Sequence, residues 1–419
     1  MRNSSAVAES FRFRNMGRNF LLPILFAFIL TAPVLADTYA NTVLATTCPD
    51  VTGIADDTYV VLQNDLNCSA SGWNFDNENT VAHIKVNLNG YTINTGSLGL
   101  TVAGDVYDGE AYGGTILSTG KAINFAPNCE VKSFFLHDLT LNGSIFSQNG
   151  GQCGDVDDFY LKDSTVNVDS LPFIDASSGA VITFENVEAN CIAGTCYDIK
   201  AGSAVVFGGS LTFKNFRMNG FSVPVSTNRI GQASIELINA SLASENPFDY
   251  SQTGSAGSTK GLMKWVKYDA LTLTAKDQNN ANIDAMAKIK NVNPTAKNPF
   301  KDRNPTDDVD FGINNGLGTI FLVKNITWIG EGTSPTSFTT DYKQYNVTVK
   351  SRGKSQSKIV IFSSPASESF ALDFTSEDTG TNVVIDQRTI PEKTGNAITG
   401  LISFLSPLAM IFAPLLMLI

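Results

Sequence analysis

Two acidic clusters are the residues of this chain whose types and spacing best suit chemistry. Asp105, Asp108 and Glu110 lie in a Gly-rich stretch, and Asp155, Asp157 and Asp158 form the second group. Grouped carboxylates supply the oxygen ligands of Ca²⁺ or the acid and base that cleave a glycosidic bond. Neither spacing is specific, and solvated loop carboxylates are the ordinary reading in an acidic chain. Asp155, Asp157 and Asp158 are retained as a weak calcium site, and no other cofactor is expected. The only histidines, His83 and His137, sit beside apolar residues in alternating segments. Outward, hydrogen-bonded imidazoles are expected there rather than metal ligands.

Six cysteines, Cys48, Cys68, Cys129, Cys153, Cys191 and Cys196, make an even set without a CxxC pair. With so few histidines a zinc site is disfavoured, and disulfides in an oxidising compartment are expected. Fifteen connectivities are possible for six cysteines. The preferred one is sequential: Cys48–Cys68, Cys129–Cys153 and Cys191–Cys196. Asn67, Asn142, Asn239, Asn325 and Asn346 each stand in Asn-x-Ser/Thr form, which marks glycosylation candidates in an exported chain. Exposed Tyr107 and Tyr112 are candidates to stack on sugar rings, whereas core or cap packing is expected of Trp73.

The elements that must position these residues are written in a repeated phrase. Apolar residues alternate, meet an Asn or Asp, and alternate again. The copies are Phe134-Leu136-Asp138-Leu139-Leu141, Phe159-Leu161-Asp163-Ser164-Val166, Ile182-Phe184-Asn186-Val187-Ala189, Leu211-Phe213-Asn215-Phe216-Met218 and Ile235-Leu237-Asn239-Ala240-Leu242. A related copy, Val86-Leu88-Gly90-Tyr91-Ile93, has glycine at the hinge. The hinges are separated by 48, 25, 23, 29 and 24 residues, and the first interval equals two turns of 24. Alternation of period two is strand patterning. Asn, Asp and Gly tolerate the left-handed backbone that a bend between two short strands requires. One such coil cannot bury its apolar row alone, so coils stack. The pattern predicts a parallel β-helix over 37–250, with Asn186, Asn215 and Asn239 aligned as a side-chain ladder.

The ends read differently. Residues 1–36 carry Arg2, Arg12, Arg14 and Arg18 before an apolar run, the layout of a secretory signal peptide. Its removal takes four Arg and one Glu from the 29 basic and 40 acidic residues and leaves a net charge of −14. Nucleic acid is therefore excluded as a partner, because phosphate neutralisation needs basic patches. Residues 394–419 contain no charge. The stretch 397–419 is long enough as a helix to cross the hydrocarbon core, and Pro407 and Pro414 are tolerated in such spans. A C-terminal membrane anchor is expected, with a cleaved lipid-anchor signal as the alternative. A Ser-, Gly- and Thr-rich boundary at 246–261 precedes longer alternating runs at 270–275, 320–328, 345–349, 359–362 and 370–374. These predict an antiparallel β-sandwich over 262–376, then a polar stalk at 377–396. The fold class is thus all-β: a parallel β-helix followed by an antiparallel sandwich, flanked by a signal peptide and a hydrophobic helix.

Cys48, then Asp65-Leu66-Asn67-Cys68 and Val86-Asn87-Leu88-Asn89-Gly90-Tyr91-Thr92-Ile93, resembles the opening coil of right-handed, pectin-lyase-like parallel β-helix surface proteins of archaea and bacteria. The segment 265–292 is similar to the first hairpin of the transthyretin-like module of carboxypeptidase-regulatory type, although Asn280 and Asn282 replace its usual Gly and Pro. The later runs 316–323, 342–350 and 359–362 follow the order of that module's remaining strands. The resemblance covers about 45–376 and implies an exported, cell-surface architecture; the family is functionally mixed, so it carries no activity.

Polysaccharide enzymes on the β-helix fold place carboxylates with Arg, Lys or His on one face. The repeated part of this chain contains neither the Gly-His-Gly nor the Arg-x-Lys of the polygalacturonase-like pattern. The expected function is that of a membrane-anchored extracellular protein with a structural, adhesive or glycan-contact role. The alternative is a surface-anchored polysaccharide lyase or glycoside hydrolase, which predicts carboxylates and basic groups converging on one face of the coil.

Overall fold

The computed structural model describes residues 39–48, 56–69, 73–75, 83–102, 106–125, 130–145, 155–176, 180–201, 207–225, 230–250, 262–292, 308–330, 337–342, 344–361 and 366–374. The signal-peptide, stalk and anchor segments, together with Cys129 and Cys153, lie outside these residues. Among the described residues no helix is long and apolar enough to cross a membrane.

The chain is all-β, and residues 58–238 form a parallel β-solenoid. Thr58–Leu62, Ile84–Asn87, Val106–Phe125, Glu130–Ser144, Asp155–Asp169, Ala180–Ala193, Phe207–Lys214 and Ile230–Ile238 pair in succession, all parallel. Asn41–Ala45 pairs before them, and residues 264–268 of Leu262–Asp277 pair after them. Past the hinge each coil contributes a second parallel ladder, including Thr92–Asn94 and Arg217–Asn219. A further one runs through Trp73–Phe75 and Leu98–Val102, and again through Pro172–Ala176, Tyr197–Ala201 and Val223–Val225.

The phrase does the work that its spacing predicts. Asp138, Asp163, Asn186, Asn215 and Asn239 all adopt left-handed φ, between 47° and 55°. Their inward neighbours stack in register: Val60, Val86, Ala111, Leu136, Leu161, Phe184, Phe213 and Leu237 occupy one column, each at most 3 % exposed. Burying each larger side chain contributes about 1.5–3 kcal/mol, and the column is continuous because each coil covers the next. Phe184 lies 5.3 Å from Phe213 within it, and beside it in the core Phe173 lies 5.3 Å from Phe216. Trp73 is fully buried, as expected of a core residue.

The 48-residue gap in the phrase contains a coil whose hinge is Gly113, at φ +74°. The Gly-rich stretch around Asp108 and Glu110, read as a loop, is instead part of the strand Val106–Phe125. Its alternation is masked because glycines stand where other coils carry bulk. A Cβ on Gly109 would meet Phe134 Cδ2 at 2.8 Å, and one on Gly114 would meet Leu88 Cβ at 2.5 Å. Neighbouring side chains fill the space that these coils do not.

Asn186 Nδ2 donates to Asp163 Oδ1 at 2.7 Å, Asn215 to Asn186 at 3.0 Å and Asn239 to Asn215 at 2.9 Å. These hydrogen bonds run from coil to coil, and Asp163 heads them. Four residues past the hinges runs a second set: Asn167 donates to Asn142, Asn190 to Asn167 and Asn219 to Asn190, at 3.0, 3.3 and 2.9 Å. Cys48–Cys68 and Cys191–Cys196 are disulfide-bonded.

The chain divides into two compact units, the second comprising 269–324 and 340–419. The described part of that unit contains an antiparallel sheet in which Ala285–Asn291 pairs with Asp308–Ile313 and Gln344–Ser351, and the latter with Lys354–Ile361. Burial alternates strictly along Ala285–Asn291, so one face of this sheet is inward. Residues 271–277 pair with Ala366–Leu372 in parallel rather than antiparallel sense. They are the first and last described strands of the unit, and no hairpin joins them.

Candidate functional site

Outward residues of the first solenoid ladder are free of the packing constraint that fixes the inward ones, so chemistry collects there. From Tyr112 onward they are the residue before each hinge and the third before it. One column reads Tyr59, Lys85, Glu110, Phe135, Tyr160, Thr183, Thr212 and Glu236. Beside it stand Asn87, Tyr112, His137, Lys162, Glu185 and Lys214.

Glu110 is the centre of this face. Its Oε1 receives Lys85 Nζ at 2.8 Å and lies 2.8 Å from His137 Nε2. The other ring nitrogen of His137, Nδ1, is 2.6 Å from Asp138 Oδ2, so a hinge carboxylate orients the imidazole. The side chains of His137 and Glu110 are 19 % and 22 % exposed, enough for a ligand to touch and too little for water to screen them fully.

Aromatic rings stack on one another along the same face. His137 lies flat on Tyr112, with centroids 4.8 Å apart and planes 6° from parallel, and stacks on Phe135 at 4.6 Å. Phe135 meets Tyr160 at 5.3 Å, and Lys85 Nζ sits 4.9 Å above the Tyr112 ring. The hydroxyls are engaged: Tyr59 and Tyr112 are 3.0 Å apart, Asn87 Nδ2 donates to Tyr59 at 2.9 Å, and Tyr160 donates to Glu185. Burial, then the Tyr59 hydrogen bond, pushes the Tyr112 phenol well above its ordinary range. Burial and the bond to Glu185 do the same for Tyr160. Burial alone would raise Glu185, but hydrogen bonds from Tyr160 and Lys214 and the lysine charges outweigh it and hold the carboxyl below its usual value. Lys214 Nζ lies 3.1 Å from Glu185 Oε1.

The tyrosines keep their protons and are poor bases, and Glu185 is held ionised, the opposite of a general acid. Glu110 and Glu185 are three rungs apart, about 14 Å at the usual strand spacing, beyond the separation that glycosidase carboxylate pairs use.

The sequence candidates scatter around this face. Glu110 and Tyr112 are on it; Asp108 is exposed on the same strand and lies 3.9 Å from His83 Nε2, while Asp57 Oδ1 holds His83 Nδ1 at 3.1 Å. Tyr107 carries Lys132 Nζ 5.2 Å from its ring centroid. Asp105 lies outside the described residues, as do the side chains of Asp155 and Asp157; Asp158 is exposed. Among the described residues no grouping of three ligating side chains could hold a metal ion. Of the sequon residues, Asn142 and Asn239 are ladder members, Asn67 Oδ1 accepts from Ser69 N at 3.2 Å, Asn325 is half-buried and Asn346 is exposed. Sequence reasoning missed Lys85, Phe135, Tyr160, Glu185 and Lys214. Writing the coils under one another, aligned on their hinges, would have brought the last four together.

No family model matches the chain, and no curated protein matches it. Among solved structures, the enzymatically active domain of bacteriophage CBA120 tailspike protein 2 is similar at 9 % identity, with a TM-score of 0.18. The match covers 78 % of this chain and 62 % of that one. A likeness of this size carries neither fold nor activity across.

Proposed function

We propose that this chain is an exported cell-surface protein whose solenoid contacts glycans, without cleaving them, through the outward face around Glu110. The observation that carries this is the run of rings from Tyr112 through His137 and Phe135 to Tyr160, edged by fixed ion pairs. Polar groups that converge beside partly exposed aromatic side chains are what a sugar needs: partners for its hydroxyls and apolar edges for its C–H groups. Within this reading, residues 1–36 direct export, and 397–419 tether the chain as a membrane span. The solenoid belongs with pectin-lyase-like surface proteins, and the second unit is a transthyretin-like sandwich.

The test is co-sedimentation of the purified chain with a panel of insoluble polysaccharides, together with analysis of the supernatant. Retention on at least one polysaccharide with no release of product is the expected result. New reducing ends or unsaturated sugars would make it an enzyme. The convergence of Lys85 and His137 on Glu110 is the observation that keeps that second reading in play.

A further inference from the structure

The antiparallel sheet of the second unit gathers exposed apolar residues around one asparagine. We infer that an N-linked glycan on Asn346 lies over Val292, Ile359 and Ile361 and covers this patch. This rests on the export reading above and adds to it a modification and the structural role of that modification.

Placement follows from register. Asn346 is exposed between the buried Tyr345 and Val347, so it stands on the outward face of the sheet. Ile359 is directly across from it on Lys354–Ile361, and Lys290 is directly across on Ala285–Asn291. Opposed residues hold their Cβ atoms about 4.5–5.5 Å apart, and diagonal neighbours are about 7–8 Å apart. Ile361, two residues past Ile359, is one diagonal neighbour of Asn346. Val292, two residues past Lys290, is another, and its N–H donates to Gln344 O at 3.1 Å. Ile359, Ile361 and Val292 are 60 %, 61 % and 39 % exposed, so the sequon stands amid uncovered apolar surface.

The strand Lys354–Ile361 is covered on its other face. There Gln356 Oε1 accepts from Ala371 N at 3.0 Å, and Lys358 lies 3.5 Å from Glu368, both partners on Ala366–Leu372. Ile359 and Ile361 point the opposite way, on the last strand of the four-stranded sheet. Branched apolar side chains at the margin of a sheet invite association with another sheet. A bulky, solubilising glycan anchored directly opposite Ile359 removes that liability without any change in the strand.

Asn346-Val347-Thr348 is the acceptor triplet. In the modification, Asn346 Nδ2 forms a bond to the anomeric carbon of a lipid-phosphate-linked sugar supplied by the exporting cell. The bond from that carbon to the phosphate oxygen breaks, the lipid phosphate leaves, and Nδ2 gives up one proton.

Hydroxyl-radical footprinting of the full chain, secreted by a host that glycosylates Asn-x-Ser/Thr, tests this. Peptide mass spectrometry reads both the sugar on Asn346 and the oxidation rates of Ile359 and Ile361. Leu317, 57 % exposed on a different strand, is the reference. Asn346→Gln should raise oxidation of both isoleucines several-fold and leave Leu317 unchanged. Thr348→Ala, which breaks the triplet but keeps Asn346, should do the same, whereas Thr348→Ser, which keeps the triplet, should stay with the unsubstituted protein. Equal rates with and without sugar on Asn346 would overturn the covering role. Secreted protein with Asn346 empty would overturn the modification and leave export intact. Slow oxidation in Asn346→Gln that rises on dilution would place a second copy of the chain over the patch instead of a glycan. A chain that its own residues 1–36 fail to export would remove the inference and the export reading together.

Discussion

Asn239 donates its side-chain amide to Oδ1 of Asn215, 2.9 Å away and one coil earlier. The bond joins two residues whose backbones are both left-handed, at φ 51° and 50°. Hinge and ladder are therefore one device. The bend needs a residue that tolerates positive φ, and asparagine meets that need while its amide ties each bend to the one before it. Each rung fixes the lateral register of the next, from the coil of Tyr160 and Asp163 onward.

Asn215 is the interior member and loses most on substitution. Asn215→Ala removes its donation to Asn186 and its acceptance from Asn239, and also places a Cβ-bearing residue without local compensation at positive φ. A loss of about 2–4 kcal/mol is expected. Asn215→Gly relieves the backbone term and should cost about 1–2 kcal/mol less. Urea unfolding of the two variants separates the contributions; equal losses would mean that φ is not what selects asparagine here.

How far the fold could be read in advance depended on which side of the sheet a residue faces. Inward residues such as Phe134, Phe159 and Phe213 are restricted in type, and hinges such as Asp163 and Asn186 are restricted in conformation. Both restrictions leave a periodic trace. Outward residues answer to neither, so Glu110, Phe135 and Lys214 look unpatterned along the chain. Their relationship exists only across coils, as between Glu110 and His137, 27 positions apart. The coil at Gly113 was hidden for the opposite reason: packing there is so close that two of its inward positions carry no side chain.

Restoring the phrase at that coil should harm the protein. Gly114 occupies the register position of Leu139 in the next coil, yet a Cβ there would lie 2.5 Å from both Leu88 Cβ and the Tyr91 carbonyl oxygen. The carbonyl is backbone and cannot swing away. Gly114→Leu is expected to destabilise by at least the ~1–3 kcal/mol typical of overpacking, and Gly114→Ala by a smaller amount of the same sign. Thermal unfolding checks both. A neutral Gly114→Leu would show that Leu88 can repack.

Glycan occupancy should discriminate among the sequons. A sugar on Asn239 Nδ2 would replace a hydrogen of the amide that holds Asn215, and its bulk would sit against the adjoining rung. Asn142 accepts from Asn167 within the second ladder. Asn346, by contrast, is exposed on Gln344–Ser351, with the exposed Ile359 directly across from it. In a glycosylating secretion host, intact folded protein should carry sugar at Asn346 and none at Asn142 or Asn239. Glycopeptide mass spectrometry reads this directly, and full occupancy of Asn239 in a cooperatively folding sample would contradict it.

Asp198 should make stability fall as the medium is brought from acid to neutral. Its carboxyl is fully buried; Oδ2 accepts from Tyr250 Oη at 2.6 Å and from Ala243 N at 2.7 Å, while Oδ1 is buried with no hydrogen-bond partner among the described residues. Burial raises it to about 7 despite those two hydrogen bonds, which act the other way. In the unfolded chain the same group titrates near 3.9. Below about pH 4 both states hold the proton and the group is neutral to stability. Between about pH 4 and 7 the unfolded state releases it first, so the folded state loses ground, by up to about 4 kcal/mol once both are ionised. Asp198→Asn keeps a carbonyl oxygen to accept from Tyr250 and Ala243 but cannot ionise. Urea midpoints of the two proteins should therefore converge near pH 4 and separate towards pH 7.5, with the asparagine variant the more stable at the upper end. Parallel midpoints across the range would mean that Asp198 is ionised throughout, with its charge met by the donors around it.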